Sequence, residues 1–238
     1  MTASYVDSHK KADKGVTYDK HYDEAPWRRF LWHREQLAMT KLLDEFFKNQ
    51  EINLLDFACG TGRIAGFLEN RVSQATGVDV SESMLNEARQ KLTRTELICA
   101  DITKDNVLKD RKFNLITAFR FFLNAESALR KAVLETLVGL LDENGFLVFN
   151  NHRNSTSPLV RFAYRRRKKR NFMSMAQMSE MVGAAGLEIV RIYPIGFLPI
   201  RGITLPGFVN HAIDNVAAKF NCLQNYSESP IVVCRRLR

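Results

Sequence analysis

The sequence predicts a doubly wound α/β fold, and three observations carry that prediction. Short apolar runs alternate with helix-period segments between residues 52 and 150. The first of these runs ends in a glycine-rich bend, Cys59-Gly60-Thr61-Gly62. Three successive runs each end at an aspartate: Asp56, Asp79 and Asp101.

Taken in chain order, residues 1–25 hold few large apolar side chains and are expected to form a lead-in or lid, with Tyr18, His21 and Tyr22 as candidates to reach a site. Pro26 suits a first helical turn. After it Phe30, Leu31, Leu37, Leu42, Leu43, Phe46 and Phe47 recur at roughly helical spacing. Residues 52–57 form a short buried strand that runs into the glycine bend. A helix follows Gly62, a strand covers 75–80, and Ser81 caps a helix that continues to about Leu92. Strands are expected at 96–100 and 113–119, a helix over 125–141, and a strand over 146–150. The rhythm then breaks. Residues 152–173 read as a basic insertion with a helix around 158–169, and 194–225 as a second irregular excursion. Between and after them lie a helix over 174–185, a strand over 187–193 and a last β-rich run at 230–235. Residues 26–238 make one domain, a size at which core burial is ample.

Composition narrows the function. No apolar run nears the roughly 20 residues of a membrane-spanning helix, and the polar N-terminal stretch has no signal-like apolar core, so a cytoplasmic protein is expected. The four cysteines, Cys59, Cys99, Cys222 and Cys234, show no CxxC or metal-ligand spacing; no metal site is expected, and Cys99 and Cys234 read as buried thiols in strands. A net charge of +9 favours phosphates, nucleic acid or anionic lipid as partners, and much of the excess lies in the run 161–170.

The glycine bend sits where a strand gives way to a helix, so backbone N–H groups and close approach are available to a ligand. Gly60-x-Gly62-x-x-Ala65 also satisfies a dinucleotide fingerprint, which would make the chain an NAD-dependent oxidoreductase. Asp56 argues against a pyrophosphate there, because like charges repel, whereas a ligand with a cationic amino group and a sulfonium gains from it. Asp79 is placed to accept from ribose hydroxyls and Asp101 from an adenine amine, in the crevice where open α/β sheets bind ligands.

The run Leu54-Leu55-Asp56-Phe57-Ala58-Cys59-Gly60-Thr61-Gly62-Arg63 resembles motif I of class I S-adenosylmethionine-dependent methyltransferases. Gly77-Val78-Asp79-Val80-Ser81 with Met84-Leu85, and Cys99-Ala100-Asp101-Ile102, are similar to that family's next two segments. The resemblance covers about residues 50–151. It implies a seven-stranded sheet of order 3-2-1-4-5-7-6 with strand 7 antiparallel, and S-adenosylmethionine as cofactor, leaving S-adenosylhomocysteine. It further implies that Asp56, Ala58, Cys59, Gly60 and Gly62 hold the methionine part and Asp79 the ribose. Val80, Met84, Asp101 and Ile102 fall to the adenine, and Phe119 joins the cofactor set. Arg63 is either a partner for the methionine carboxylate or a solvated helix residue.

The acceptor would approach over the ends of strands four and five. Arg120, Asn124 and Asn151 are the substrate candidates there, with Tyr18 and Tyr22 from the lead-in, and His152 is the candidate general base. Arg120 between phenylalanines suits an anionic acceptor. Basic and aromatic residues in the two insertions suit a small-molecule, glycan or lipid-linked acceptor, with contact to an anionic membrane. The alternative is an RNA methyltransferase that follows phosphates with the 161–170 run.

Overall fold

The computed structural model describes residues 25–165, 172–198 and 207–237. Helix α1 (Pro26–Phe46) leads into β1 (Asn53–Phe57), α2 (Arg63–Leu68), β2 (Gln74–Asp79), α3 (Glu82–Arg89) and β3 (Thr95–Cys99). There follow β4 (Phe113–Ala118), α4 (Ser127–Leu140), β5 (Leu141–Asn150), α5 (Pro158–Ala163) and α6 (Met175–Ala184). Strand β6 (Leu187–Tyr193), α7 (Gly207–Ala217), a 3₁₀ turn (Asn221–Tyr226) and β7 (Ile231–Arg236) complete the chain.

The sheet has the order β3-β2-β1-β4-β5-β7-β6, and β7 runs antiparallel to both β5 and β6. Its central strands are apolar on both faces because both faces are covered. Neighbouring residues divide between the two cores. Leu54, Leu115, Val148 and Val233 pack with Leu31, Met39 and Leu42 of α1, while Leu55, Ile116, Phe149 and Val232 pack with Leu134 and Leu137 of α4 and Met178 of α6. That two-residue alternation seats helices on both faces and keeps all the parallel strand ends on one edge.

The structure departs from the sequence reading in five places. Leu37 is 41% exposed, and the buried stripe of α1 runs through Leu31, Glu35, Ala38 and Leu42 instead. Ser81 holds the N-cap position of α3 but its side chain caps nothing; its Oγ lies 3.1 Å from Ser83 Oγ. The working capping box is at α6, where Ser174 and Gln177 bond reciprocally. Strand β5 starts at Leu141, and a bulge absorbs the added residues, since Phe113 pairs with Leu141 and Leu115 with Phe146. The excursion 194–225 contains α7 and the 3₁₀ turn. Cys99 is exposed, because β3 is an edge strand; Cys59 and Cys234 are buried. Among the described residues no helix is long and apolar enough to cross a membrane.

Candidate active site

The bend after β1 is held in an unusual backbone path. Ala58, Gly60 and Gly62 all have positive φ, at 54°, 57° and 79°. A Cβ on Gly60 would meet nothing within 4 Å, so the bend faces open space there. A Cβ on Gly62 would come within 2.7 Å of Leu92 Cδ1 and 3.3 Å of Ala88 Cβ, so the bend is closely packed at Gly62. Gly62→Ala is expected to cost about 1–3 kcal/mol through left-handed strain and overpacking, lowering the melting temperature by several degrees. Thermal denaturation without ligand checks this; an unchanged melting temperature would mean that the bend relaxes freely.

Each predicted aspartate has a distinct environment. Asp79 Oδ2 accepts from Gly60 N and its Oδ1 from Ser81 N, both at 2.9 Å, so one carboxylate braces both the bend and the start of α3. Asp56 is buried; its Oδ1 accepts from Thr117 Oγ1 at 2.7 Å and its Oδ2 from Ala65 N at 3.1 Å. Burial pushes its carboxyl up to about 7, against the pull of those bonds and of Arg63. Asp101 sits at the surface end of β3. Partial burial opposes its ionisation, yet bonds from Thr103 and Lys104 hold its carboxyl below the usual range.

Two cavities open along this edge of the sheet, and they meet at Ala58 and Asp79. Of the predicted cofactor residues, Asp56, Ala58, Cys59, Gly60, Asp79, Met84 and Phe119 line the first. The second is lined by Ala58, Asp79, Val80, Asp101 and Ile102, with Phe57 and Phe121. Its apolar walls beside a carboxylate make a slot for a flat heterocycle.

The predicted substrate residues separate. Arg120 and Asn124 line the first cavity, and Asn124 Nδ2 donates to Arg120 O at 2.8 Å. Asn151 does not reach either cavity. It is buried, its Nδ2 donates to Met173 O at 3.1 Å and its N donates to Pro230 O at 2.9 Å, tying the end of β5 to the start of β7. His152 is only 5% exposed and lines neither cavity. Tyr18 and Tyr22, and Arg166 to Arg170 of the basic run, lie outside the described residues. Arg165 is described, with its guanidinium 4.3 Å from the ring centre of Phe162.

Sequence reasoning missed Glu35. It lies on the buried stripe of α1, and its carboxylate accepts from Arg63 Nη1 at 2.6 Å and Arg120 Nη2 at 3.2 Å. Arg63 is therefore neither solvated nor idle: its guanidinium also lies 4.4 Å from the Trp32 ring, and it lines the first cavity. The available signal was a glutamate in phase with Leu31, Ala38 and Leu42.

Residues 54–145 match the model of a methyltransferase domain, over the same stretch that builds β1 to β5 and both cavities. Over that stretch the chain is similar to methyltransferase domains, in line with what its glycine bend and strand-end aspartates imply. A malonyl-[acyl-carrier protein] O-methyltransferase of Priestia megaterium is 28% identical over 183 residues, 69% of this chain and 62% of that protein, so the match spans under two thirds of the relative's length. A demethylmenaquinone methyltransferase of Listeria monocytogenes is 22% identical over 191 residues, covering 67% of this chain and 77% of that protein. Among solved structures, magnesium protoporphyrin IX methyltransferase from Synechocystis PCC 6803 with bound S-adenosylhomocysteine aligns over 95% of this chain and 96% of its own, at a TM-score of 0.65 and 13% identity. At that identity the likeness concerns the methyltransferase fold alone, and the order β3-β2-β1-β4-β5-β7-β6 agrees with the order that motif I implied.

Proposed function

We propose that this chain transfers a methyl group from S-adenosylmethionine to an oxygen or nitrogen of an anionic small-molecule acceptor. One observation carries the cofactor half: Asp79 lies where a carboxylate-lined cavity meets an apolar one. A nucleoside with a cationic amino-acid tail fits that pair of cavities, since its tail and its base need opposite surroundings. Asp56 and the open face of Gly60 would take the tail and Asp79 the ribose. Val80, Asp101 and Ile102 would take the adenine, with Met84 and Phe119 closing the side. When bound, the sulfonium supplies a methyl group open to in-line displacement.

Holding the acceptor in line contributes about 7–11 kcal/mol. A general base adds about 10²–10⁴-fold, or roughly 3–5 kcal/mol. Orientation is the larger effect, so the reading does not depend on His152. Support for an anionic acceptor comes from the net charge of +9 and the malonyl group in the name of the Priestia relative. Exposed Leu159 and Phe162 beside Arg161 on α5 support an amphipathic acceptor or contact with an anionic membrane.

S-adenosylhomocysteine is expected to raise the melting temperature by ligand linkage, and NADH to leave it unchanged. A shift with NADH alone would replace this reading with the oxidoreductase. For the acceptor, labelled methyl transfer to carboxylate-bearing acyl thioesters, and none to their neutral esters, is the expected outcome; transfer to the neutral forms alone would overturn the anionic assignment.

A further inference from the structure

We infer that Glu35 is a positioning residue that aims the Arg63 and Arg120 guanidiniums into the first cavity, where they receive the carboxylate of the ligand's amino-acid tail. The inference rests on the reading of that cavity as an S-adenosylmethionine site. Three separate segments converge here. Glu35 comes from α1, Arg63 from the first turn of α2, and Arg120 from the turn after β4. The Glu35 side chain is 0% exposed, while Arg63 and Arg120 are 17% and 16% exposed and both line the cavity.

A carboxylate with no water around it costs several kcal/mol unless it is paired. Burial is the strongest influence on Glu35 and works against its ionisation, but the two guanidiniums together outweigh it and hold the carboxyl below its usual range. The anion is thus a fixed anchor at ordinary pH. Each of its two oxygens holds one arginine, Oε2 accepting from Arg63 and Oε1 from Arg120. Each guanidinium is a rigid planar fork, so a bond to Glu35 sets its orientation.

Other groups fix the remaining freedom. The Trp32 ring, one turn before Glu35 on α1, lies 4.4 Å from the Arg63 guanidinium. The Arg120 backbone is left-handed at φ 60°, and its N–H donates to Asn150 Oδ1 at 2.7 Å. An anchor that serves only to dock α1 would not need arginines that also face the cavity. Holding two such side chains ready in advance avoids the cost of ordering them when a carboxylate arrives.

The test compares two nucleosides that share adenosine and sulfur. S-adenosylhomocysteine carries the amino-acid tail, and 5′-methylthioadenosine has a methyl group in its place. Calorimetric titration of Glu35→Gln is expected to show about tenfold weaker binding of S-adenosylhomocysteine and unchanged binding of 5′-methylthioadenosine. Glu35→Asp keeps the charge and shortens the reach, and should give the same selective loss at about threefold; it decides the matter if the glutamine variant does not fold. Equal losses for both nucleosides, or no loss for either, would overturn the positioning role and leave the cofactor reading intact. Wild-type protein that binds neither nucleoside would overturn both.

Discussion

Asp79→Ala is expected to abolish the thermal stabilisation that S-adenosylhomocysteine gives the wild-type protein. At a ligand concentration of about 100 times Kd, linkage supplies about 2.7 kcal/mol, which in a chain of this size is roughly 5–10 °C. On the proposed reading the variant loses a ribose acceptor and two bonds within the protein. Asp79 also accepts from Gly60 N and Ser81 N at 2.9 Å each, and hydrogen bonds to a charged group contribute about 1.5–3 kcal/mol. Without them the left-handed bend at Ala58, Gly60 and Gly62 loses its side-chain brace from β2 and keeps the backbone bond from Cys59 N to Val78 O, so the open face of Gly60 is less firmly held. The unliganded melting temperature should therefore fall as well, and the quantity that decides is the difference between liganded and unliganded scans. Asp79→Asn, which keeps one acceptor oxygen, should retain a fraction of the shift. A full shift in Asp79→Ala would show that the junction of the two cavities is not where the ligand is held.

The central sheet was legible because its residues obey one rule at a time. Leu54 and Leu55 face opposite cores, and so do Leu115 and Ile116; strands buried on both sides appear in sequence as unbroken apolar runs. Strand order is different. Nothing in hydropathy states that β1 lies between β2 and β4, and that order came from the resemblance of motif I to a family. Helix α7 escaped notice because its pattern is inverted. Phe208 and Val216 are exposed, while Asp214 points inward and accepts from Gly196 N at 2.8 Å and Phe197 N at 3.0 Å. Periodicity assigns helices by assuming that the apolar face is the buried one, and here a buried carboxylate does the docking.

The site divides along the same line. Aspartates at strand ends stand out because a charge directly after an apolar run is visible in the sequence, and Asp56, Asp79 and Asp101 all proved to border the two cavities. Glu35 could not be recognised in that way. A glutamate within an amphipathic helix ordinarily belongs to the wet face, and its bonds from Arg63, Arg120 and Asn150, in segments distant in sequence, make its burial tolerable. Leu37 is the converse, an apolar residue that shares the helical spacing and still faces solvent. Asn151 was nominated from its position, and His152 from its position and the near-neutral titration of an ordinary imidazole. Position along the chain correctly put them past the end of β5, but could not tell that Asn151 would be committed to Met173 O.

Affinity for S-adenosylhomocysteine is expected to fall about tenfold for each pH unit below about 7, and Asp56→Asn is expected to flatten that slope. Asp56 titrates near 7 because burial, only partly offset by Thr117 Oγ1, Ala65 N and Arg63, disfavours its anion, with Asp79 adding to the effect. A cationic amino group in the first cavity selects that anion, so binding below about pH 7 must first remove a proton, at about 1.4 kcal/mol per unit. The unliganded protein should show the opposite trend. Its folded state binds the proton more tightly than the unfolded chain, whose aspartate titrates near ~3.9, so stability falls as pH rises from about 4 to about 7, by an amount on the order of 4 kcal/mol. Asp56→Asn removes that loss, and above pH 7 the unliganded variant should be the more stable protein although it binds ligand more weakly. Stability and affinity thus move in opposite directions at one residue, which a simple packing defect cannot imitate. The competing titration is His211, beside His33 and Arg34 where α7 meets α1; burial and those two neighbours hold its imidazole below the usual value. If titration in buffers from pH 5.5 to 8.5 gave the same slope in Asp56→Asn, the proton would belong to that helix contact, and Asp56 would have no part in recognising the ligand's charge.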